Sequence, residues 1–446
     1  MNDTVFALAT APGRAAVAVI RVSGPRARAA LAALTGGATK ARRASLRTLR
    51  DAEGGVIDHA VILLFPAPAS YTGEDCVELQ VHGSAGVIDQ LTDVLLAQGL
   101  RLAEPGEFTR RAFENGKLDL DQAEAVADLV EAETAVQARQ ALGQLEGRLG
   151  VRYQIWRERL IEALARLEAA VDFPDEEVPA DVAEQARDAL EALASALDLA
   201  LADEPRGRRV REGYRIAVIG APNSGKSSLI NALTGRDLAI VTEIPGATRD
   251  VIEAPMVLDG YKVVLADTAG LRPTHEPIEV EGVRRARAWA VGADLRLWVV
   301  DRAAKDGVWR EALGSIREGD VCILNKADLP AGADGAAARM AAEGQGLQIL
   351  TTSVLAGGDG GVKGLLTARV ERDLAGSDFP AATRARHETL LRAARDHLYQ
   401  ALARLDTPEL AAEDARLAAR ALARISGRVD AEAVLGRVFA TFCIGK

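Results

Sequence analysis

The sequence holds few of the residues that mark secreted, zinc-binding or membrane-spanning proteins. Only three cysteines occur, Cys76, Cys322 and Cys443, and they share no close spacing that would indicate a disulfide framework or a zinc site. No apolar run reaches the roughly 18 residues that predict a membrane span. The first residues, MNDTVFALATAPGR, lack the charged start and apolar stretch of a signal peptide. We therefore expect a cytoplasmic protein that does not enter a membrane.

Aromatic side chains are also scarce, and acidic residues outnumber basic ones. Aromatic residues make up 4% of the chain and hydrophobic residues 48%, while alanine, leucine and arginine are abundant, which favours helices. The formal net charge is −10, so a nucleic-acid partner would need a local basic patch. With 446 residues, the chain is long enough for roughly three domains of about 150 residues each.

Hydrophobic patterning divides the chain into three kinds of region. Residues 1–117 mix short β-type runs with helical patterns, which predicts an α/β domain. Residues 118–209 and 379–446 carry apolar residues at three- and four-residue steps, the pattern of amphipathic helices. Residues 210–378 alternate strands with helices, which predicts a mostly parallel sheet covered on both faces. The economical interpretation is one all-α domain interrupted by an inserted α/β domain.

Individual strands and helices can be located within the two α/β regions. In the first region the predicted elements are, in chain order, Ala16–Val22, Arg26–Leu34, Val61–Phe65, Cys76–Val81 and Gly86–Gln98. In the inserted region the predicted strands are Ile216–Ile219, Lys262–Ala266, Leu295–Val300, Val321–Leu324 and Gln348–Leu350. Loops beside Gly73 and Gly106 place charged residues next to glycine, a pattern that by itself is typical of ordinary turns.

The first strand of the inserted region ends in a phosphate-binding loop. Residues 220–227, GAPNSGKS, fit the pattern G-x-x-x-x-G-K-[ST] between an apolar strand and an amphipathic helix. Glycines let backbone N–H groups point at phosphate oxygens, Lys226 reaches the β- and γ-phosphates, and the Ser227 hydroxyl binds Mg²⁺. The positive end of the following helix faces the same anion.

Further motifs at strand ends select guanine nucleotides. Asp267 opens the motif DTAG, in which the acid holds Mg²⁺ through water and the glycine amide senses the γ-phosphate. In the motif NKAD, from Asn325 to Asp328, the Asp328 carboxylate can accept hydrogen bonds from N1–H and the exocyclic amine of guanine. Adenine lacks this donor pair. Ser353 follows the last strand, where a loop would cover the base.

The segment 242–250, TEIPGATRD, lies between the phosphate loop and Asp267. A threonine in this segment is expected to complete Mg²⁺ coordination when GTP is bound. Thr242 and Thr248 both qualify by position, and we choose Thr248 because it lies beside Gly246 and Arg249. The alternative is a plain surface loop.

Several segments along the whole chain resemble one family of GTPases. GAPNSGKSS, PGATRD and DTAGLR are similar to Era-like GTPases, and the ending FCIGK narrows the resemblance. The segments ATAPGRAAVAVIRVSG, YTGEDCVELQVHG, PGEFTRRAFENGKLDLDQAEAVADL and DFPDEE resemble the MnmE/TrmE family of tRNA-modification GTPases. The resemblance implies an N-terminal α/β folate-binding and dimerisation domain at 1–117. It also implies a helical domain at 118–209 and 379–446, with a P-loop GTPase (G) domain inserted at 210–378.

The resemblance also implies a reaction and its partners. Members of the family hydrolyse GTP as homodimers and act with the flavoprotein MnmG, which carries FAD, in a heterotetramer. Together they add a carboxymethylaminomethyl group to C5 of the wobble uridine of certain tRNAs. The one-carbon unit comes from 5-formyltetrahydrofolate or another tetrahydrofolate derivative. Hydrolysis uses Mg²⁺ and is stimulated by K⁺, whose positive charge offsets the negative charge that develops during the reaction.

Catalytic roles in the G domain are implied by the same resemblance. The K⁺ ligands would be the side chain of Asn223 and the backbone carbonyls of Thr242, Ile244 and Ala247. Glu279 would orient the attacking water through a bridging water. From the residues alone, Glu276 and Glu281 are equal candidates, and each could be a solvent-facing acid at the start of a helix.

The residues expected to contact GTP fall into four groups along the G domain. They are Asn223, Ser224, Gly225, Lys226, Ser227 and Ser228; Thr242, Glu243, Ile244, Pro245, Gly246, Ala247 and Thr248; Asp267, Thr268, Ala269 and Gly270; and Asn325, Lys326, Asp328, Ser353, Val354 and Leu355. The chain departs from the family's usual pattern at Val354, because the family usually has alanine after the serine. It also has Pro273 and Pro277 on the path to Glu279, which could stiffen that path.

Outside the G domain, the resemblance implies a folate pocket and a functional tail. The folate-binding residues would be Arg21, Glu78, Lys117 and Lys446. A cation suits the folate carboxylate, and an acid suits the N–H groups of the pterin. Cys443 is either a nucleophile of the modification reaction or a small apolar residue near a helix end, and its reactivity depends on a pKa that the sequence does not reveal.

An alternative function is a GTP-switched ribosome-assembly or RNA-binding factor of the Era-like class. Such a protein would carry an RNA-binding module, for example a basic KH-like domain. The sequence has no GXXG loop within a basic segment, which counts against this alternative. A folate-binding aminomethyltransferase that does not use GTP is opposed by the intact phosphate loop.

Overall fold

The computed structural model describes residues 3–172, 181–235, 252–267, 288–354, 360–376 and 379–427, together with 438, 439, 442 and 445. The chain forms two compact units. The first comprises Met1–Glu131, Ala141–Leu199 and Ala385–Lys446, and the second comprises Ala132–Gln140 and Ala200–Arg384. The division into three domains with edges at 117, 209 and 378 stays a prediction.

The helices within the described ranges are numbered along the chain. They are α1 (Ala27–Thr35), α2 (Ala85–Ala97), α3 (Glu107–Glu114), α4 (Leu120–Glu131), α5 (Ala135–Leu145), α6 (Arg148–Asp172), α7 (Asp181–Glu212), α8 (Lys226–Thr234), α9 (Ala333–Gly344), α10 (Val362–Leu374), α11 (Ala385–Ala403) and α12 (Pro408–Ile425). A 3₁₀ helix spans Val308–Ser315. None of these helices combines the length and apolar character needed to cross a membrane.

The first unit contains a six-stranded mixed sheet. Its strands are β1 (Val5–Leu8), β2 (Ala15–Ser23), β3 (Ser45–Arg50), β4 (Val56–Phe65), β5 (Cys76–Gly83) and β6 (Arg101–Leu102), in the order β3-β4-β5-β2-β1-β6. Only the β1–β6 pair is parallel. Helices α1 and α2 bury apolar side chains such as Leu31 and Leu91 against Ile20, Ile62 and Leu79 of the sheet. The mixed α/β fold predicted for this region is confirmed.

The long helices of the first unit follow the apolar spacing seen in the sequence. On α6, Leu160, Ala163 and Leu167 are buried, and on α11 Leu391 and Leu398 are buried. Helix α12 packs against both α6 and α11. Because these side chains recur every three or four residues, they share one face of each helix and form the core of the helical part.

The second unit contains a six-stranded sheet covered by helices. Its strands are β7 (Tyr214–Ile219), β8 (Ile252–Leu258), β9 (Tyr261–Asp267), β10 (Leu295–Asp301), β11 (Val321–Asn325) and β12 (Gln348–Thr351), in the order β12-β11-β10-β7-β9-β8. All neighbours are parallel except β8 and β9. Two apolar clusters include residues of alternate sheet faces, such as Val299 in one and Trp298 in the other. The predicted parallel sheet is confirmed.

The second unit also includes the first turns of α5. The Gln137 side chain accepts hydrogen bonds from the backbone N–H groups of Glu133 and Thr134, at 3.0 and 3.1 Å, and donates one to the carbonyl of Arg211 at 2.8 Å. Glu133 forms an ion pair with Lys262 at the start of β9. These contacts attach the start of α5 to the end of α7 and to the β8–β9 hairpin.

Candidate functional site

The phosphate loop leads from β7 into α8, as its sequence predicts. The ammonium group of Lys226 lies over the loop and donates to the carbonyls of Gly220 and Ala221, at 3.1 and 2.9 Å. Asn223 has a positive φ of 60°, which bends the loop tightly before the helix. The loop is therefore curled, so that the Lys226 ammonium group can donate to phosphate oxygens in place of these backbone carbonyls.

A hydroxyl and a carboxylate meet beside this loop. The Ser227 hydroxyl at the start of α8 donates to Asp267 Oδ2 at 2.8 Å, and Asp267 ends β9. The other carboxylate oxygen, Asp267 Oδ1, is buried and has no hydrogen-bond partner among the described residues. The Ser227 hydroxyl and the free oxygen of Asp267 suit a hard cation such as Mg²⁺, which takes oxygen ligands and waters.

Asn325 connects the phosphate loop to the loop after β12. Its side chain is buried and donates to the carbonyl of Ser224 at 2.8 Å, while its Oδ1 accepts from the backbone N–H of Val354 at 3.3 Å. Gly225 packs closely against this side chain, because a Cβ at Gly225 would be 2.1 Å from Asn325 Nδ2. The phosphate loop and the base loop are thus held together through one amide side chain.

The carboxylate predicted to read guanine lies at the open edge of the same site. Asp328 is exposed and accepts a hydrogen bond from the Ser353 hydroxyl, which holds the pKa of this carboxyl below its usual range. Lys326 is fixed by an ion pair with Asp301 at 2.6 Å. Asp301 is not among the site residues predicted from the sequence. Its signal is a polar residue at the carboxyl end of β10, next to the strand that carries Asn325.

These side chains line one cleft at the carboxyl edge of the parallel sheet. The cleft has a volume of about 310 Å³. Its lining residues are Asn223, Gly225, Lys226, Ser227, Ser228, Asn325, Lys326, Asp328, Ser353 and Val354. All ten were predicted to contact GTP. Ser224, within the phosphate loop, is buried, and its hydroxyl has no hydrogen-bond partner within the described ranges.

Several predicted site residues lie outside the residues that the structure describes. They are Thr242, Glu243, Ile244, Pro245, Gly246, Ala247, Thr248, Thr268, Ala269, Gly270, Glu279, Leu355, Cys443 and Lys446. Their predicted roles, including those of Thr248 with Mg²⁺ and Glu279 with water, stay predictions.

The first unit brings together two of the four residues predicted to bind folate. Arg21 on β2 pairs with Glu78 on β5, with 2.9 Å between Nη2 and Oε1, because the two residues are opposite each other in the sheet. The Arg21 guanidinium also lies 5.3 Å from the ring centre of Tyr71 and 5.6 Å from that of Phe108. Both charged side chains are about one-fifth exposed, so a ligand could reach them. Neither ring is among the site residues predicted from the sequence.

The loop that carries Tyr71 is held by a buried arginine. Arg111 on α3 is 1% exposed and forms ion pairs with Asp3, Glu74 and Glu107. Lys117 approaches the same loop, since a Cβ at Gly73 would be 3.3 Å from its Cγ. The loop 71–75 is therefore fixed between α3 and β2, close to the Arg21–Glu78 pair.

Comparison with known proteins identifies the family. The family model described as "MnmE helical domain" matches residues 120–443, and the model described as "GTP-binding protein TrmE N-terminus" matches residues 4–117. The chain belongs to the MnmE/TrmE family. Proteins named "tRNA modification GTPase MnmE" from Phenylobacterium zucineum, Caulobacter vibrioides and Maricaulis maris are 60%, 58% and 47% identical to it. Each of these alignments covers 100% of both chains.

Membership of the MnmE/TrmE family confirms the resemblance inferred from the motifs. The predicted fold class is also confirmed, with an N-terminal α/β domain, a helical domain and a P-loop α/β domain in one chain. The MnmE helical model spans both helical stretches and the nucleotide-binding region between them, as expected for an inserted domain.

Proposed function

We propose that the cleft of the second unit binds GTP with Mg²⁺ and that hydrolysis of this GTP drives a tRNA modification. As a member of the MnmE/TrmE family, the chain is a GTP hydrolase that acts in tRNA modification. The observation that carries the proposal is the double contact of Asn325, which links the phosphate loop and the base loop in one cleft.

Each residue of the cleft has a role that its chemistry supports. Lys226 binds the β- and γ-phosphates, and α8 directs its N-terminal N–H groups at them. Ser227 and Thr248 hold Mg²⁺, and Asp267 reaches it through water. Asp328 accepts the two N–H donors of guanine, while the backbone of 353–355 covers the base. The Ser227–Asp267 hydrogen bond and the unsatisfied Asp267 oxygen support this arrangement.

The hydrolysis step is proposed to depend on K⁺ and on Glu279. Asn223 and the carbonyls of 242, 244 and 247 would hold the cation near the phosphates, where positive charge stabilises the transition state. We expect faster hydrolysis in K⁺ than in Na⁺ at equal ionic strength, and a large loss of rate in Glu279→Ala but not in the control Glu281→Ala. Equal rates of GTP hydrolysis in the two salts would contradict the proposed role of K⁺.

The first unit is proposed to bind a tetrahydrofolate one-carbon derivative such as 5-formyltetrahydrofolate. Arg21, Glu78, Lys117 and Lys446 would form the pocket, in which the Glu78 carboxylate would accept from the N–H groups of the pterin and a cation would bind a carboxylate of the folate. Tyr71 and Phe108 support this proposal because they offer aromatic surface beside the Arg21–Glu78 pair. Cys443 is a candidate for the chemical step.

The complete reaction is proposed to need a partner. The chain would act as a homodimer with the flavoprotein MnmG and its FAD, and would add a carboxymethylaminomethyl group to C5 of the wobble uridine. Because tRNA is the substrate, the proposed place of action is the cytoplasm. The test is mass analysis of wobble uridines in tRNA from a deletion strain. Unchanged modification in that strain would reject the proposal.

A further inference from the structure

A segment without acids lies at one edge of the sheet in the first unit. Residues 38–50, ATKARRASLRTLR, hold five basic residues and neither an acidic nor an aromatic residue. The segment begins in the loop after α1 and ends with β3, the edge strand in the order β3-β4-β5-β2-β1-β6. We call its five cations the basic strip, and they are Lys40, Arg42, Arg43, Arg47 and Arg50.

The charges of the basic strip are not neutralised within the described part of the chain. Among the described residues, none of the five cations has a carboxylate within ion-pair distance. Three of the arginines donate to backbone carbonyls, as Arg50 does to Gly54 at 2.9 Å. A guanidinium carries five N–H donors, so most of them remain for a ligand. Four of the five cations are exposed, and Arg47 is half-buried.

A second arginine-rich segment differs because acids neutralise it. Four arginines near the end of α7 each form an ion pair, Arg206 with Asp203, Arg208 with Glu204, Arg209 with Asp294 and Arg211 with Glu212. In the β3–β4 hairpin, by contrast, the Asp51 and Asp58 carboxylates accept hydrogen bonds from backbone N–H groups. The positive charge of the basic strip is therefore available to a partner.

Protection of an edge strand does not account for the basic strip. Charged residues on an edge strand prevent it from pairing with other chains. That role is filled by charge of either sign and concerns residues of the strand itself. Lys40, Arg42 and Arg43 precede β3, and all five charges have the same sign. A negatively charged partner explains both features.

The composition of the segment favours an RNA backbone as this partner. Arginine binds phosphate through two parallel N–H donors. Protein interfaces have aromatic or apolar anchors, and membrane-surface helices carry a broad apolar face. Within 38–50, all of which is described, Leu46 is the one exposed large hydrophobic residue. Because no aromatic ring is present to stack on bases, the segment suits phosphates better than base recognition.

The basic strip belongs to the same sheet as the Arg21–Glu78 pair. One cross-strand row runs from the start of β3 to β2 through Ser45, Ile62, Leu79 and Ile20. Neighbouring strands are about 4.8 Å apart, so three steps place β3 about 14 Å from β2, which carries Arg21. A polyanion at the basic strip is therefore held on the sheet that forms the candidate folate site.

We propose that the basic strip binds the phosphate backbone of tRNA. This inference rests on the proposed function, because that function makes tRNA the substrate. Phosphates carry no base information, so binding by the strip is independent of sequence and weakens as salt concentration rises. The strip is the local basic patch that a chain with a formal net charge of −10 needs in order to hold a nucleic acid.

The experiment compares Arg43→Gln/Arg50→Gln with the charge-matched control Arg392→Gln/Arg416→Gln. The control arginines are also exposed, but both form ion pairs with glutamates. Binding of a fluorescent tRNA transcript to the full chain is measured by anisotropy from about 50 to 200 mM NaCl. GTP affinity is measured alongside to establish that each variant is folded.

The salt dependence separates phosphate contacts from a structural role. Each lost contact removes about 0.7–0.9 from the slope of log K against log salt, so we expect the slope of the test variant to be shallower by about 1.5. Its tRNA affinity at low salt should fall at least about tenfold, and by the same factor for two transcripts of different sequence. The control should match the unaltered protein. Affinity equal to that of the control, a loss with an unchanged slope, or unequal losses for the two transcripts would each overturn the inference.

Further arms of the experiment distinguish other partners and the proposed function. Binding to phosphatidylserine vesicles and self-association are measured with the same variants. If the test variant loses either one while its tRNA affinity matches the control, the strip has another partner and the inference is overturned.

Failure of this inference and failure of the proposed function give different results. If the unaltered chain does not bind tRNA at low salt, the inference is overturned, and wobble-uridine analysis of the deletion strain still decides the proposed function. If deletion leaves the wobble uridines unchanged, but the test variant loses tRNA affinity with a shallower slope, the proposed function is wrong and the strip is still an RNA-binding site.

Discussion

Asp121 on α4 is a carboxylic acid in an environment that disfavours its charge. Its side chain is fully buried, and neither oxygen has a hydrogen-bond partner among the described residues. Burial, with the nearby carboxylates of Asp119 and Glu124, raises its pKa to about 7, while Arg386 acts in the opposite direction. Glu124 differs because Arg386 and His387 both bond to it, and its pKa is lowered despite burial. The pKa values of two acids three residues apart are therefore shifted in opposite directions.

Replacing Asp121 with asparagine should change how stability depends on pH. The folded-state pKa of Asp121 lies above its unfolded value of about 3.8, so the folded protein holds the proton more tightly. This contribution to stability is complete below pH 4 and is lost as pH rises to about 7, a change of about 4 kcal/mol. Asp121→Asn should remove that decline in urea unfolding measured from pH 4.5 to 8. An unaltered pH dependence, equal to that of the surface control Asp89→Asn, would contradict this prediction.

Asp328 should decide which base the cleft accepts. Its carboxylate can pair with both N–H donors of guanine, whereas the amide of Asp328→Asn can accept only one and then opposes the other. We expect GTP affinity to fall on the order of 100-fold and affinity for xanthosine triphosphate to rise, because xanthine carries an oxygen in place of the amine. Fluorescent-nucleotide titration measures both.

Matched controls and pH make the Asp328 test specific. Glu343→Gln removes an exposed acid on α9 of the same unit and should bind both nucleotides as the unaltered protein does. Because the Ser353 hydroxyl lowers the pKa of Asp328, GTP affinity should stay constant from pH 8 down to pH 5. An equal loss for both nucleotides in Asp328→Asn would indicate a folding defect instead of a change in base selection.

At the scale of elements, composition and not sheet position alone decided which strands could be predicted, since the edge strand β12 was predicted and the short interior strand β1 was not. The strands β7, β10 and β11 lie inside a parallel sheet, and such strands form continuous apolar runs that are easy to recognise. The edge strand β8 contains Pro255, and the edge strand β3 alternates leucine with arginine and threonine, so both resemble loops in sequence. A strand at the edge of a sheet has one unpaired side, so it tolerates proline and polar residues. For this reason β3 and β8 could not be predicted from their sequences.

The candidate sites show a similar contrast between local and long-range information. The phosphate loop could be predicted because its chemistry depends on residues within one short segment. The Arg21–Glu78 pair depends on the register of β2 and β5, which no local pattern fixes, so only a family resemblance located it. The pairing of Asp301 with Lys326 likewise depends on two strands being neighbours in the sheet.

Gln137 should stabilise the attachment of α5 to the second unit. Its buried amide satisfies two backbone N–H groups at the start of α5 and one carbonyl at the end of α7. Gln137→Ala removes these three hydrogen bonds, and we expect a loss of about 2–3 kcal/mol, mainly local. Hydrogen exchange should accelerate in peptides covering 133–140. The exposed control Gln90→Ala should have no effect, and uniform acceleration across the unit would contradict a local role.

At the scale of the whole molecule, the two units should respond to different ligands. A ligand that binds only the folded form stabilises it by about 2.7 kcal/mol at 100 times its dissociation constant. GDP with Mg²⁺ should therefore slow hydrogen exchange in β7, α8 and β11, and 5-formyltetrahydrofolate should slow it in β2 and β5. Exchange in the other unit should change little for each ligand alone. Protection of β2 and β5 by GDP alone would contradict this assignment.

The contact between Gly445 and the end of β1 joins residues that are almost a full chain length apart. During synthesis on a ribosome, β1 emerges long before the glycine that contacts it. The nucleotide cleft draws its described residues from 220–354 and can be complete long before that moment. A chain that stops before Gly445 would therefore keep the residues of the cleft but would lose the contact with β1. Such a truncation would thus separate the integrity of the nucleotide cleft from that of the contact between Gly445 and β1.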